Sequence, residues 1–162
     1  MQERGSQDAQ PSAGAVLAGM LRRSADNLLA ALDDMSDDEL RARPHGLAPA
    51  LWQVGHLVLD ARIARGAGAA IDLPEGWSTL FGWGTSGEGD LPPRDEVVRL
   101  FREVNDRMLE LCAGDLARDV EYAPGRTDTL GNLLAFHLYH RGYHHGKLMT
   151  LRALLGKPRL LG

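Results

Sequence analysis

The chain is nearly devoid of cysteine. One thiol, Cys112, allows no internal disulfide and excludes a cysteine-rich zinc module. It lacks an excess of basic charge: 18 Lys and Arg stand against 22 Asp and Glu, a formal net charge of −4. An extended nucleic-acid surface is therefore not expected. No apolar run approaches the roughly 20 residues of a membrane span. The polar stretch from Met1 to Ser12 has no basic-then-apolar layout of a signal peptide. These absences predict a soluble, reduced, cytoplasmic protein with no nucleic-acid or membrane partner. β-Branched residues are also scarce. Val, Ile and Thr together number 14 against 27 Leu. That ratio favours helices over strands, because β-branched chains suit the pleated surface.

What remains is ordinary globular material, 44% hydrophobic and 25% charged. A length of 162 residues fits one domain with a full core. Residues 1–12 are expected to fray as a disordered tail, ahead of a single domain over 13–162.

Helical spacing of apolar residues organises that domain. A first helix is predicted from about Ala13 to Asp34, with Leu17, Met20, Leu21, Ala25, Leu28 and Leu32 on one stripe. Ser36-Asp37-Asp38-Glu39 is a capping-box pattern opening a short turn that Pro44 stops. A second long helix is predicted from Pro49 to Arg65, where Gly66 and Gly68 end it. Its seam is Leu51, Val54, Val58 and Ala61. A third runs from Pro93 or Arg94 to Gly114, with Val97, Leu100, Val104, Met108 and Leu111 inward. A fourth starts at Thr127 or Asp128 and stops at Gly156-Lys157-Pro158, its stripe being Leu130, Leu134, His137, Arg141, His144, Leu148, Leu151 and Leu155. The prediction is an all-α four-helix bundle. About 28 residues, Gly66 to Pro93, link helices two and three. Loops longer than about 12–15 residues are uncommon and often functional. This one carries Trp77, Phe81 and Trp83, so its rings are expected to fold onto the bundle or a partner subunit.

The chemical signal is histidine. Four of the six fall within nine residues of the fourth helix: His137, His140, His144 and His145. At 100° per residue the first three lie within about 60° of one another, on the leucine face. Burial and mutual repulsion both disfavour charged imidazoles there. A divalent cation resolves the conflict, since neutral imidazole is its natural ligand. His140 and His144 are i and i+4, a spacing that lets two side chains converge on one metal. A further ligand has to come from another helix. His56, on an apolar face between Trp52 and Ile63, is the candidate, ahead of His45 in a Pro/Gly-flanked loop. Geometry alone does not exclude His137. His145, at the edge of the stripe, reads as solvated or as a neighbour of a ligand. Asp60, one turn past His56, can orient a ligand imidazole or bind metal, although a solvated helix-face carboxylate is the commoner case. Cys112 reads as a small buried hydrophobe rather than a nucleophile.

The segment Tyr139-His140-Arg141-Gly142-Tyr143-His144-His145-Gly146-Lys147-Leu148, with Trp52-Gln53-Val54-Gly55-His56-Leu57 upstream, resembles the signature of the DinB/YfiT-like metalloenzyme superfamily. That family is unrelated to the DNA polymerase sharing the DinB name. The segment from Trp77 to Thr85 resembles the long loop of one of its branches. The resemblance implies an up-down-down-up bundle and a divalent metal held by His56, His140 and His144. It implies transfer or isomerisation with a low-molecular-weight thiol such as bacillithiol or mycothiol, acting on a small-molecule substrate, in a homodimer. Lys147 departs from the family, where Gln is common. Three imidazoles accept Zn²⁺, Ni²⁺, Fe²⁺ or Cu²⁺, with zinc, nickel or iron the expected metals. Two other readings stand beside thiol transfer: a metal-dependent hydrolase using a metal-activated water, and a non-enzymatic, stress-linked binding bundle.

Overall fold

The structure is a computed structural model that describes residues 10–160. Residues 1–9 of the tail expected to fray lie outside the described residues; its last member, Ser12, caps the first helix. Its Oγ accepts the Ala15 N–H at 3.2 Å, opening α1 (Ala13–Asp33). The Ser36 capping box forms with both reciprocal hydrogen bonds, to and from Glu39, and starts α2 (Asp37–Arg41). A 3₁₀ turn at Pro44–Gly46 leads to α3 (Ala50–Val58) and α4 (Ala61–Gly66). The long connection holds α5 (Trp77–Phe81). Then follow α6 (Arg94–Leu111), a hairpin of β1 (Asp119–Ala123) and β2 (Arg126–Thr129), and α7 (Leu130–Leu154).

Side-chain contacts fix the helix directions. Arg141 near the middle of α7 reaches Leu21 and Ser24 of α1, and Arg152 near its end reaches Ala31 and Asp34. The first and last helices therefore run parallel. Gln53, His56 and Asp60 meet His144, His140 and His137 in reverse order, so α3 runs against α7. Arg94 at the start of α6 pairs with Asp33 at the end of α1, and Gly14 packs on the Cys112 carbonyl. Thus α6 also runs against α1. The path is up-down-down-up, and α1, α7, α3 and α6 form the four sides of the bundle. The predicted seams supply the core: Leu21, Leu28, Leu32, Leu51, Val54, Val58, Val97, Leu100, Val104, Met108, Leu130, Leu134, Leu148 and Leu151 are all buried. Met20, assigned to the first seam, is instead half exposed.

Two elements differ from expectation. The second long helix is interrupted at Leu59 and Asp60, whose N–H groups bond to the third carbonyl back, His56 and Leu57, rather than the fourth. This 3₁₀ tightening sits where Asp60 turns inward, and residue spacing does not signal it. The fourth helix starts at Leu130, capped by Thr129, because Thr127 and Asp128 belong to a β-strand. The hairpin turns at Pro124-Gly125, with Gly125 at φ 69°, a conformation favouring glycine. Of its strand residues only Val120 is buried, so it carries no alternating pattern to betray it.

Two arginines are wholly enclosed. Arg152 grips Asp34 through both terminal nitrogens (2.5 and 3.1 Å) and also donates to the Ala31 and Pro158 carbonyls. Arg141 has no carboxylate partner among the described residues. Its Nη1 donates to the Leu21 carbonyl, Ser24 Oγ and Asn105 Oδ1, and its guanidinium lies over the Phe101 ring at 5.0 Å. Burial lowers its pKa to about 10, which leaves it charged at neutral pH.

Candidate metal centre

Each imidazole of the site is held by a different kind of partner. His56 Nδ1–H donates to the Phe81 carbonyl at 2.5 Å. His140 Nδ1–H donates to Asp60 Oδ2 at 2.9 Å. His144 Nδ1–H donates to Gln53 Oε1 at 2.7 Å. A carbonyl and a carboxylate only accept, so the proton on Nδ1 is assigned for the first two rings. The third follows from Gln53, whose amide nitrogen donates to the Ala48 carbonyl and so turns its oxygen to His144. All three rings thus carry a proton on Nδ1 and turn Nε2 toward a common centre. The three ligand atoms lie within 4.8 Å of one another, and Nε2 of His140 and His144 are 3.1 Å apart. Two Nε2 atoms at that separation call for a proton or a cation between them. A divalent cation fits there, because Zn–N bonds of about 2.0–2.1 Å place two ligand nitrogens at roughly that spacing.

Charge supports this arrangement. Burial holds the His56 imidazole below its ordinary pKa, and burial with the neighbouring His140 and His56 lowers His144 to about 3. Both rings are neutral at pH 7, the form that ligates metal. Burial by itself would raise the Asp60 carboxyl, but the N–H groups of His137 and His140 hold it well below the carboxylate range. Asp60 is 1% exposed, which corrects the expectation of a solvated helix-face carboxylate. It ties the site to His137, whose Nδ1–H it accepts at 2.6 Å. His137 is fully buried and stands outside the ligand group, its Nε2 without a protein partner among the described residues. His45 lies in the exposed 3₁₀ turn at φ 54°, and His145 sits half-buried away from the group. Cys112 is buried, with its thiol donating to the Met108 carbonyl at 3.2 Å.

The long connection is part of the site. Trp77 and Phe81 are buried, as their apolar rings predict, but Trp83 is 96% exposed. Trp77 Nε1 donates to the Gly55 carbonyl at 3.1 Å, and the Phe81 ring fills the space beside Gly55. Trp52 Nε1 donates back to the Leu80 carbonyl and Thr85 Oγ1, and its ring stacks on His56 at 4.9 Å. A Cβ at Gly55 would fall 2.1 Å from the Phe81 ring. Gly55→Ala should therefore dislodge α5, remove the acceptor of His56, and weaken metal binding about tenfold or more, the loss typical of ligand-orienting partners. Metal titration and a thermal melt check this; wild-type values in both would show that the loop does not orient His56.

The three imidazoles form the floor of an open cavity of about 610 Å³ walled by Trp52, Trp83, Phe136, Tyr139 and Tyr143, with Lys147 at its edge. No carboxylate among the described residues lines it. The Phe81 carbonyl and Gln53 are site groups that sequence reading missed. A backbone carbonyl carries no side-chain signal, and Gln53 stands inside the Trp52–Leu57 motif with nothing in the pattern to give it a role.

Residues 20–148 match the family model of the DinB superfamily. The solved structure of YfiT from Bacillus subtilis, described as a probable metal-dependent hydrolase with an unusual four-helix bundle topology, is similar in fold. It aligns with TM-score 0.62 and 18% identity over 98% of this chain and 95% of its own. No curated protein matches the chain.

Proposed function

Because the chain belongs to the DinB superfamily, we propose that it is a divalent-metal-dependent transferase whose nucleophile is a low-molecular-weight thiol. The carrying observation is the set of three Nε2 atoms at the floor of an open, aromatic cavity that no carboxylate among the described residues lines. His56, His140 and His144 would hold zinc, nickel or iron. The bound cation supplies Lewis acidity, which favours the thiolate of a thiol that reaches it. The chain's own residues do the rest. Phe81, Asp60 and Gln53 orient the imidazoles, and the Asp60 anion offsets part of the added charge. The aromatic walls hold the electrophile against the site and displace water. In the transfer the sulfur forms a bond to the electrophilic carbon, the leaving group departs with its bonding pair, and the thiol proton passes to solvent through the open mouth. A thiol near pKa 8.5 needs little help from a general base.

Elemental analysis of gently purified protein, followed by a screen pairing bacillithiol, mycothiol and glutathione with electrophiles, tests the reading. Metal-dependent turnover is expected. A fully metallated protein inert with every pair would favour the binding-bundle reading. The described function of YfiT favours a hydrolase as the second reading, and ester and amide substrates in the same screen test it.

The melting temperature of the metal-free protein should fall as pH drops below about 6.5. His56, His137 and His144 all have folded pKa values below the ordinary one. The unfolded chain therefore binds more protons below that pH, and stability present above it is lost on acidification. Melting curves of the metal-free protein at pH 8 to 5 check this; a melting temperature unchanged at pH 5 would contradict buried neutral imidazoles.

A further inference from the structure

The metal centre opens in two directions. Beyond the aromatic cavity, a small pocket of about 130 Å³ along His56, Asp60, Arg62, Phe136 and His140 leads away from the imidazoles. Arg62 and Phe136 then line a further cavity of about 310 Å³ that reaches Arg126 and Tyr122 on the β-hairpin. Phe136, stacked on His140 at 5.9 Å, lines all three spaces and divides them.

This second arm holds two guanidiniums beside two carboxylates, Asp60 and Asp128, which already accept N–H groups from other partners. Arg62 lies near the Tyr122 ring at 6.0 Å, with half its side chain exposed, and its contact with Asp60 is a long 3.5 Å. Arg126 is exposed and has no carboxylate within ion-pair distance among the described residues. Asp128, the one acid among the described residues that lines the larger cavity, is committed to the start of α7, accepting from the Thr129 N–H at 2.7 Å and Asn132 Nδ2 at 2.9 Å. Two guanidiniums whose neighbouring acids are engaged by other donors fit carboxylates, which they can grip through paired hydrogen bonds.

Scale decides what kind of carboxylate. Leu133 lines the arginine cavity and His140 ends the ligand side. Seven residues of α7 separate them, about 10 Å at 1.5 Å per residue. A tripeptide-sized molecule extends about 10 Å, at roughly 3.3–3.6 Å per residue. We propose that the Arg62–Arg126 arm seats the carboxylates of the thiol co-substrate, so that the thiol is an anionic, peptide-sized molecule whose sulfur reaches the imidazoles past Phe136. This rests on the thiol-transfer reading above. The electrophile is left to the aromatic cavity on the other side of Phe136.

Cobalt(II)-loaded protein provides a readout independent of turnover, because a sulfur ligand adds a charge-transfer band. Three thiols are titrated: glutathione, its diethyl ester, and N-acetylcysteamine, the last without carboxylates. Glutathione should bind about tenfold or more tighter than its ester, as expected for a charge-assisted pair. Arg126→Gln should remove that advantage and leave N-acetylcysteamine unchanged; the residue is exposed on the hairpin, so the fold is not at stake. Equal affinity for glutathione and its ester overturns the arginine seat while leaving thiol binding intact. The seat is equally overturned if Arg126→Gln spares the glutathione advantage or weakens all three thiols alike. If no thiol produces the band on metallated protein, the thiol reading itself fails, and this proposal with it.

Discussion

Alanine in place of His56, His140 or His144 should reduce metal affinity by more than about 100-fold in each case, beyond the 10–100-fold typical of residues that only orient a ligand. His45→Ala and His145→Ala should bind as the wild type does. His137→Ala is the informative intermediate. Its ring is fully buried beside the site and shares Asp60 with His140, yet it contributes no lone pair to the ligand group. It should retain metal within about tenfold, while costing about 1–3 kcal/mol of stability. All variants should stay helical, since leucine seams rather than metal make the core. Titration with zinc at neutral pH, followed by elemental analysis, decides. Undiminished affinity in His56→Ala would break the triad. So would loss in His137→Ala alongside retention in His140→Ala.

Asp60→Ala should be the most damaging change outside the ligands. One carboxylate oxygen accepts N–H groups from both His137 and His140. Hydrogen bonds to a charged group contribute about 1.5–3 kcal/mol each, so loss of both should cost about 3 kcal/mol or more. Freed of its acceptor, His140 can turn or change tautomer, and metal affinity should fall about 10–100-fold. Asp60→Asn keeps the shape and one acceptor oxygen but removes the charge. It should lie between wild type and Asp60→Ala in both measurements, and it serves as the test if alanine prevents folding. Paired thermal melts with and without zinc separate stability from affinity. Wild-type behaviour of both variants would show that the buried carboxylate does nothing for the site.

The bundle was largely legible because its information is periodic. The leucine stripes of α1, α3, α6 and α7 repeat at helical spacing, and the same spacing puts His140 and His144 on one face. What escaped the sequence has no period. The Phe81 carbonyl reaches His56 across 25 positions and is a backbone atom. Asp60 faces inward where its helix tightens locally, and an apolar-pattern reading has no way to register a change from fourth-back to third-back hydrogen bonds. Arg141 stood within the leucine stripe, but its burial depends on acceptors supplied by α1 and α6. The β-hairpin escaped for the opposite reason: with Val120 its one buried strand residue, too little of it is apolar to make a pattern.

The side-by-side parallel pairing of α1 and α7 has a kinetic consequence. Arg141 bonds to Leu21 across 120 positions of chain. At about 5–20 residues per second, roughly 6–24 s of synthesis separate the emergence of those two partners from the ribosome. During that interval α1 has no α7 to cover its leucines. A helical protein with short loops escapes this wait because neighbouring helices close as they appear, whereas long-range closure slows folding. The nascent chain should accordingly be a client for chaperones that shield apolar helices. Its metal would enter only once α7 has emerged and delivers two of the three imidazoles to the one already made.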